Sequence, residues 1–341
     1  MASIKPIVLT MGEPAGIGGE ITLKAWANKD ISSLPDFYTV DDPERLEKIT
    51  RDLQWPIKII SISHPSETND AFKLGLPVLP LRLPVLSKPG KPDIANSKSV
   101  ITAIDKAVHA VTSGNASAIV TNPIHKNALY EIGFNYPGHT EYLTKLSGKD
   151  ESAMMLACPS LRTVPVTTHL SLLDAIRNLT AEKIIKISTT TISSLNQDFG
   201  IKKPHLAIAA LNPHGGEKGK LGSEELEIIE PAIEKLRGQG AEVTGPVPAD
   251  TLFHADSRKN YDAIICMYHD QALIPLKTID FIGGVNFTMG LSFVRTSPDH
   301  GTAFEISGLG IADETSLASA IQMATNITNN RHKLTLASHK R

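Results

Sequence analysis

Residues 263–303 read AIICMYHDQALIPLKTIDFIGGVNFTMGLSFVRTSPDHGTA. Ala263–Met267 is a short, wholly apolar run of the kind that forms an inner strand of a parallel sheet, buried on both faces. His269 and Asp270 therefore emerge at the carboxyl end of a strand, which is where ligands bind in open α/β sheets. Beyond them, Lys277, Asn286, Arg295, Asp299 and His300 follow at intervals that match neither the helical nor the strand period. Loops are expected to gather these residues around a site.

Two earlier stretches repeat the pattern. Thr163–His169 (TVPVTTH) and His205–His214 (HLAIAALNPH) each run from apolar, β-branched or small residues through a short polar turn to a histidine. His169, His214 and His269 lie 45 and 55 residues apart, a spacing too wide for a zinc finger but natural for neighbouring strands of one βαβ sheet. A three-histidine divalent metal site is expected from them, with a vacant position for substrate. Neutral imidazoles suit zinc, cobalt and similar ions. Asp250, in the turn Pro248–Thr251, is a candidate carboxylate to orient one of these histidines.

Between and around these segments the chain alternates strand and helix patterns. Pro6–Met11, Phe37–Val40, Ile57–Ile62, Ala118–Val120, Ala153–Cys158, Thr163–Thr167, Leu206–Ala210 and Ala263–Met267 read as strands. Helices are expected at Glu20–Asn28, Pro43–Leu53, Ser171–Arg177, Ala181–Phe199, Ser223–Arg237 and Asp313–Thr328. Ser97–Ser113 adds another, with Val100, Ile101, Ile104, Ala107, Val108 and Val111 on one face. The fold class is α/β, with a largely parallel sheet covered on both faces. The proline-rich stretch Leu76–Asp93 is expected to be an irregular connection, and Asn329–Arg341 a frayed end.

Several polar clusters sit at the ends of these elements. Gly12–Gly19 forms a glycine-rich turn between a strand and a helix, which fits either an anion cradle or a purely structural turn. Its glycines at 12, 16 and 18 match neither the dinucleotide fingerprint nor a P-loop. Thr121–Lys126 (TNPIHK) closes another strand. Pro137-Gly138-His139-Thr140-Glu141 sets an imidazole and a hydroxyl just before an expected helix at Glu141–Leu146, where both can donate to a phosphate or carboxylate. Thr140 serves equally well there as a plain N-cap.

Composition bounds what the protein does. The 341 residues suffice for two domains of ordinary size, and 41% hydrophobic with 21% charged residues is a globular balance. A formal net charge of −2 gives no electrostatic case for nucleic acid or an anionic membrane surface. No apolar run approaches the roughly 20 residues that span a bilayer, and Met1–Lys5 is not followed by a secretory apolar core. The cytoplasm is the expected compartment. The two cysteines, Cys158 and Cys266, lie in strand-like apolar runs and are expected as buried free thiols.

Taken together, MGEPAGIG, NPIHK, PGHTEYL, LNPHGGE, PADTLF, MYHDQALIPLK and RTSPDHGTA, in this order from about Ile7 to Ile327, resemble the 4-hydroxythreonine-4-phosphate dehydrogenase family of vitamin B6 biosynthesis. The resemblance implies a two-subdomain αβα architecture with an interdomain cleft, related to the isocitrate and isopropylmalate dehydrogenase-like folds. We set the expected subdomains at residues 1–125 with 285–341 and at residues 126–284, the latter carrying the metal histidines. The resemblance further implies a homodimer with its active site at the subunit interface. The cofactors would be NAD, or NADP, bound without the standard fingerprint, and a divalent ion such as zinc, magnesium or cobalt.

The implied reaction oxidises the C3 hydroxyl of 4-phosphooxy-L-threonine, a small phosphorylated hydroxy-amino acid. The β-keto acid formed loses carbon dioxide to give 3-amino-2-oxopropyl phosphate. The positions of His139, Thr140, Lys277, Asn286 and Arg295 match substrate-binding positions of the family, and Lys277, Asp250 and Asp270 are the catalytic candidates. Two other functions fit the residues: a paralogous dehydrogenase of D-threonate or D-erythronate 4-phosphate, and a metal-dependent binding or hydrolytic protein that uses no nicotinamide.

Overall fold

The apolar runs of the chain become strands shared between two folding units. The computed structural model describes residues 5–338 and divides into Met1–Glu151 with Leu291–Asn329, and Ser152–Gly290 with Asn330–Arg341. The first unit opens with β1 (Ile7–Thr10), β2 (Phe37–Asp41), β3 (Ile59–Ser61), β4 (Leu76–Pro80) and β5 (Ile119–Thr121). The second holds β6 (Ala153–Cys158), β7 (Leu161–Pro165), β8 (His205–Ala209), β9 (Glu242–Val247), β10 (Ala263–Cys266) and β11 (Val285–Met289). The chain then returns to the first for β12 (Arg295–Pro298).

In the first unit the strands run β3-β4-β2-β1-β5-β12, parallel throughout. Val100, Ala103, Ile104, Ala107 and Val108 of the helix Ser97–Thr112 pack on Val8, Tyr38, Val40 and Ile119 of that sheet. In the second unit the order is β11-β6-β7-β10-β8-β9. Its pairs from β7 through β9 are parallel, and β6 pairs antiparallel with both neighbours. Both cysteines are buried free thiols, Cys266 against Ala272 and Leu276 in the second core. The α/β class and the largely parallel sheets are as expected. Among the described residues no helix is long and apolar enough to cross a membrane.

Three sequence-based expectations are corrected. Leu129, Phe134 and Leu143 belong to the first unit's core, and β11 is laddered to β6. Leu76–Pro80, expected to be irregular, is a strand. Pro77 precedes the first β2–β4 register pair, Thr39 with Val78, and Pro80 follows the last β3–β4 pair, Ser61 with Val78. Neither proline has to donate inside those ladders.

The segment after His269 is not a set of loops. Lys277 lies in the last turn of a helix, His269–Ile279, which passes through Pro275, and Asn286 and Arg295 lie on β11 and β12. The terminal helix runs on to Ser338 rather than fraying after Thr328. Asp198 fixes its later part, accepting from Arg331 Nε at 2.6 Å, while the Asp198 carbonyl accepts from Asn330 Nδ2 at 2.8 Å.

The glycine-rich turn owes its glycines to close packing. Gly12 has φ +66°, and a Cβ there would lie 2.6 Å from the Pro123 carbonyl; one at Gly16 would lie 2.8 Å from that of Thr302. Behind the turn, Arg45 grips Asp41 through both carboxylate oxygens at 2.7 and 2.8 Å and donates from Nε to the Pro14 carbonyl. Both side chains are essentially inaccessible. Arg45→Met should therefore destabilise the first unit by about 3–5 kcal/mol, because it strands a buried carboxylate. Urea unfolding of the wild type and the variant measures this, and Asp41→Asn combined with Arg45→Met should restore part of the loss.

Candidate functional site

In the second unit the carboxyl ends of β7 and β10 carry two of the three strand-end histidines. His169 sits in the left-handed region at φ 53°, and His269 is the first residue of its helix. Their rings stand 5.9 Å apart, centre to centre. They line a cavity of about 220 Å³ with Thr167, Leu170, Leu172, Tyr268 and Asp270. His269 Nδ1 is 2.7 Å from Asp270 Oδ1, so Asp270 holds the ring and leaves Nε2 to point elsewhere. That is how carboxylates orient metal-ligating imidazoles.

His214 lies outside this pair. It begins a left-handed run, with φ between 46° and 76° from His214 through Glu217, in the loop that follows β8. Asp250 is exposed on the short helix Ala249–Leu252, which packs beside that loop. Among the described residues no group of three His, Cys, Asp or Glu side chains could hold a metal ion. A single chain thus assembles two of the three histidines, in a donor set whose chemistry suits a borderline divalent ion.

Two buried side chains that the sequence did not flag hold this region in shape. Glu225, 1% exposed and in a π-helical turn, accepts from the backbone N–H groups of Leu211 and Asn212 at 2.8 and 2.7 Å and from Asn212 Nδ2 at 2.9 Å. It clamps the base of the His214 loop. Gln271 accepts from Met267 N–H and donates to the Ala210 carbonyl, both at 2.7 Å, tying the ends of β10 and β8 together. Glu225→Gln turns an acceptor-only group into one carrying an NH₂ against these donors. It should lower stability by about 1.5–3 kcal/mol, the scale of hydrogen bonds to a charged group. Urea midpoints and protease sensitivity at residues 211–222 would register it.

Lys277 and Asn286 complete the second unit's candidates. Lys277 follows His269 by eight residues of helix, a rise of roughly 12 Å, with Nζ 5.3 Å from the Phe281 ring centre. Asn286 Oδ1 is buried without a hydrogen-bond partner among the described residues. Such an orphaned acceptor is uncommon in native structures and marks a place where something else binds.

The first unit carries the remaining candidates. Arg295 is 3% exposed and donates from Nε and Nη2 to Thr121 Oγ1 at 3.1 and 2.6 Å. Burial pushes its pKa down to about 10, opposed by nearby Glu141. His139 and Thr140 open the helix His139–Leu146 with Gly138 as its cap, so Thr140 is a first-turn residue and not the N-cap. His139 Nε2 is buried with no hydrogen-bond partner among the described residues. Burial, then the charges of Arg295 and Lys126, hold its pKa well below the usual histidine range.

This depression has a definite sign. Neutral His139 in the fold resists protonation that the unfolded chain accepts near pH 6.5, so stability falls as pH drops below about 6.5. His139→Asn should flatten that acid-side loss, measured as thermal midpoint against pH.

The profile described as "Pyridoxal phosphate biosynthetic protein PdxA" matches residues 34–324. The chain belongs to the PdxA family. A relative named 4-hydroxythreonine-4-phosphate dehydrogenase from Bradyrhizobium diazoefficiens is 45% identical, over 95% of this chain and 97% of its own. One of the same name from Caulobacter vibrioides is 46% identical, covering 96% and 98%. The crystal structure of a 4-hydroxythreonine-4-phosphate dehydrogenase from Klebsiella pneumoniae superposes with a TM-score of 0.85 at 37% identity, covering 95% and 99%. The enzyme class expected for this PdxA chain, a dehydrogenase acting on a CH–OH group, is the class these relatives belong to.

Proposed function

We propose that the chain oxidises the C3 hydroxyl of 4-phosphooxy-L-threonine with NAD, giving a β-keto acid that decarboxylates to 3-amino-2-oxopropyl phosphate. The observation that carries this is the pair of orphaned buried atoms, His139 Nε2 and Asn286 Oδ1. Both belong to residues singled out for substrate binding in a chain of the PdxA family. A phosphorylated hydroxy-amino acid supplies what they lack: anionic oxygens for imidazole and guanidinium, an ammonium for a carbonyl oxygen.

His139, Thr140 and Arg295 then take an anionic end of the substrate. Arg295 is fixed by Thr121 so that its fork needs little reordering on binding. Lys277 and Asn286 act on the remaining polar groups, Lys277 as a point charge. His169, His214 and His269 are the residues that would hold a divalent ion, of which zinc, magnesium and cobalt are the candidates. Such an ion, when bound, lowers the pKa of a coordinated hydroxyl, and NAD, or NADP, takes up the hydride.

Asp270 keeps His269 in one tautomer and orientation, and Asp250, beside the His214 loop, can orient that histidine or accept the hydroxyl proton. The incomplete histidine set of one chain supports a homodimer in which subunits meet at the site. A biosynthetic role on a small soluble metabolite is in keeping with a cytoplasmic setting.

The test is NADH formation by the purified chain with 4-phosphooxy-L-threonine, D-threonate 4-phosphate and D-erythronate 4-phosphate side by side. The proposal expects the amino-acid substrate to have the highest kcat/KM. A preference for either sugar acid would favour the paralogous dehydrogenase, and release of phosphate without NADH would favour a hydrolase.

A further inference from the structure

At the opposite ends of β7 and β10 from the histidines, a second polar cavity opens in the second unit. It measures about 180 Å³ and is lined by Pro159, Ser160, Arg162, Arg258, Tyr261 and Asp262, with the first residues of both strands. The turn Pro159-Ser160 links β6 to β7, and Arg258 ends the short helix Ala255–Arg258. We propose that this cavity binds a phosphate group, as the free ion or as a phosphate monoester, at a site separate from the one holding His169 and His269.

The two guanidinium groups carry the inference. Arg162 donates from Nη1 to the Asp262 backbone carbonyl at 3.0 Å, and its guanidinium carbon stacks 4.7 Å from the Phe199 ring centre. Arg258 donates from Nη1 to the Phe253 carbonyl at 3.2 Å. No carboxylate lies within ion-pair distance of either among the described residues. The Asp262 carboxylate accepts from His205 N–H at 2.8 Å instead. Each arginine therefore keeps most of its five N–H donors for something else.

Stacking on Phe199 fixes the plane of the Arg162 fork, so little freedom remains to be lost when an anion binds. The hydroxyls of Ser160 and Tyr261 line the same cavity and add neutral donors suited to a tetrahedral oxyanion. Burial depresses the Arg162 pKa, and the nearby Asp262 and Cys158 side chains oppose this only in part. A phosphate would add a directly paired anion, and two arginines against one carboxylate leave the cavity net positive.

Isothermal titration of the full-length chain with inorganic phosphate, and separately with glycerol 3-phosphate, tests the site. The wild type, Arg162→Gln, Arg258→Gln and Thr140→Val are compared, with circular dichroism confirming each fold. Arg258→Gln sits on a half-exposed short helix and serves if Arg162→Gln does not fold. A saturable event weakened roughly tenfold or more in the arginine variants, over and above any substrate-site event that Thr140→Val weakens, is the expected result. Preference for glycerol 3-phosphate would identify the monoester as the occupant, and equal affinity the phosphate group itself. No saturable binding beyond the event that Thr140→Val weakens, or a second event that survives both arginine variants, overturns the proposal. Loss in Thr140→Val alone would assign the phosphate to the first unit and overturn it equally.

Discussion

Alanine at His214 or at His269 should lower kcat/KM by on the order of a thousandfold, equivalent to about 4 kcal/mol of transition-state stabilisation, while leaving the thermal midpoint nearly unchanged. His214 is exposed in its loop and His269 is half-buried at a helix start, so neither contributes much to the core. The two variants should be equally inactive although their positions differ. An open three-ligand site fails when any ligand is lost. Metal content per chain should fall in both, and added divalent ion should rescue the stripped wild type but not the variants. Asp270→Asn should show a smaller loss, on the order of 10- to 100-fold, since it orients a ligand without being one. Full activity in His214→Ala with undiminished metal would remove this histidine from the site.

Arg295→Lys should cost about 1.5–3 kcal/mol of substrate binding, or roughly ten- to more than a hundredfold in affinity. The side chain is buried, and two of its donors are already committed to Thr121. Lysine cannot satisfy Thr121 and a substrate oxyanion with the same fork geometry. Burial also disfavours a charged ammonium more damagingly, because lysine starts from a lower pKa than arginine. The defect should accordingly grow with rising pH in the variant and not in the wild type. A buried contact is poorly screened, so the loss should persist at high ionic strength, whereas an exposed charge would lose its effect. Substrate and NAD affinities measured together separate the roles. An equal fall in NAD affinity would place Arg295 at the wrong ligand.

How much of this was legible in the chain depended on whether the local pattern had one cause. β7, β8 and β10 announce themselves because inner parallel strands are apolar on both faces, and their ends fell within about two residues of expectation. The helix His269–Ile279 was hidden by Pro275, and β11 and β12 by the polar residues that punctuate them, Asn286 and Arg295. Prolines likewise masked β4, since only the register shows that Pro77 lies outside the β2–β4 ladder and Pro80 outside the β3–β4 ladder.

The histidines were visible as strand-end residues. That one chain brings His169 to His269 but not to His214 was not, because the left-handed turn at His214–Glu217 depends on tertiary contacts. Glu225 was invisible for a related reason: in SEELEIIEP it reads as a solvated helix residue, and only its three accepted hydrogen bonds reveal a clamp. Thr121, which anchors Arg295, lies 174 residues away in sequence.

The central claim, metal-assisted oxidation of 4-phosphooxy-L-threonine by NAD at the histidine set, is tested most directly by one titration. The chain is stripped with a chelator, and NADH formation with that substrate is followed as a divalent ion is added back, with bound metal determined at each point. The account predicts negligible turnover in the stripped chain and recovery in proportion to metal bound, with His214→Ala recovering nothing. Full turnover in the stripped chain, or metal bound without any NADH formed, would contradict it.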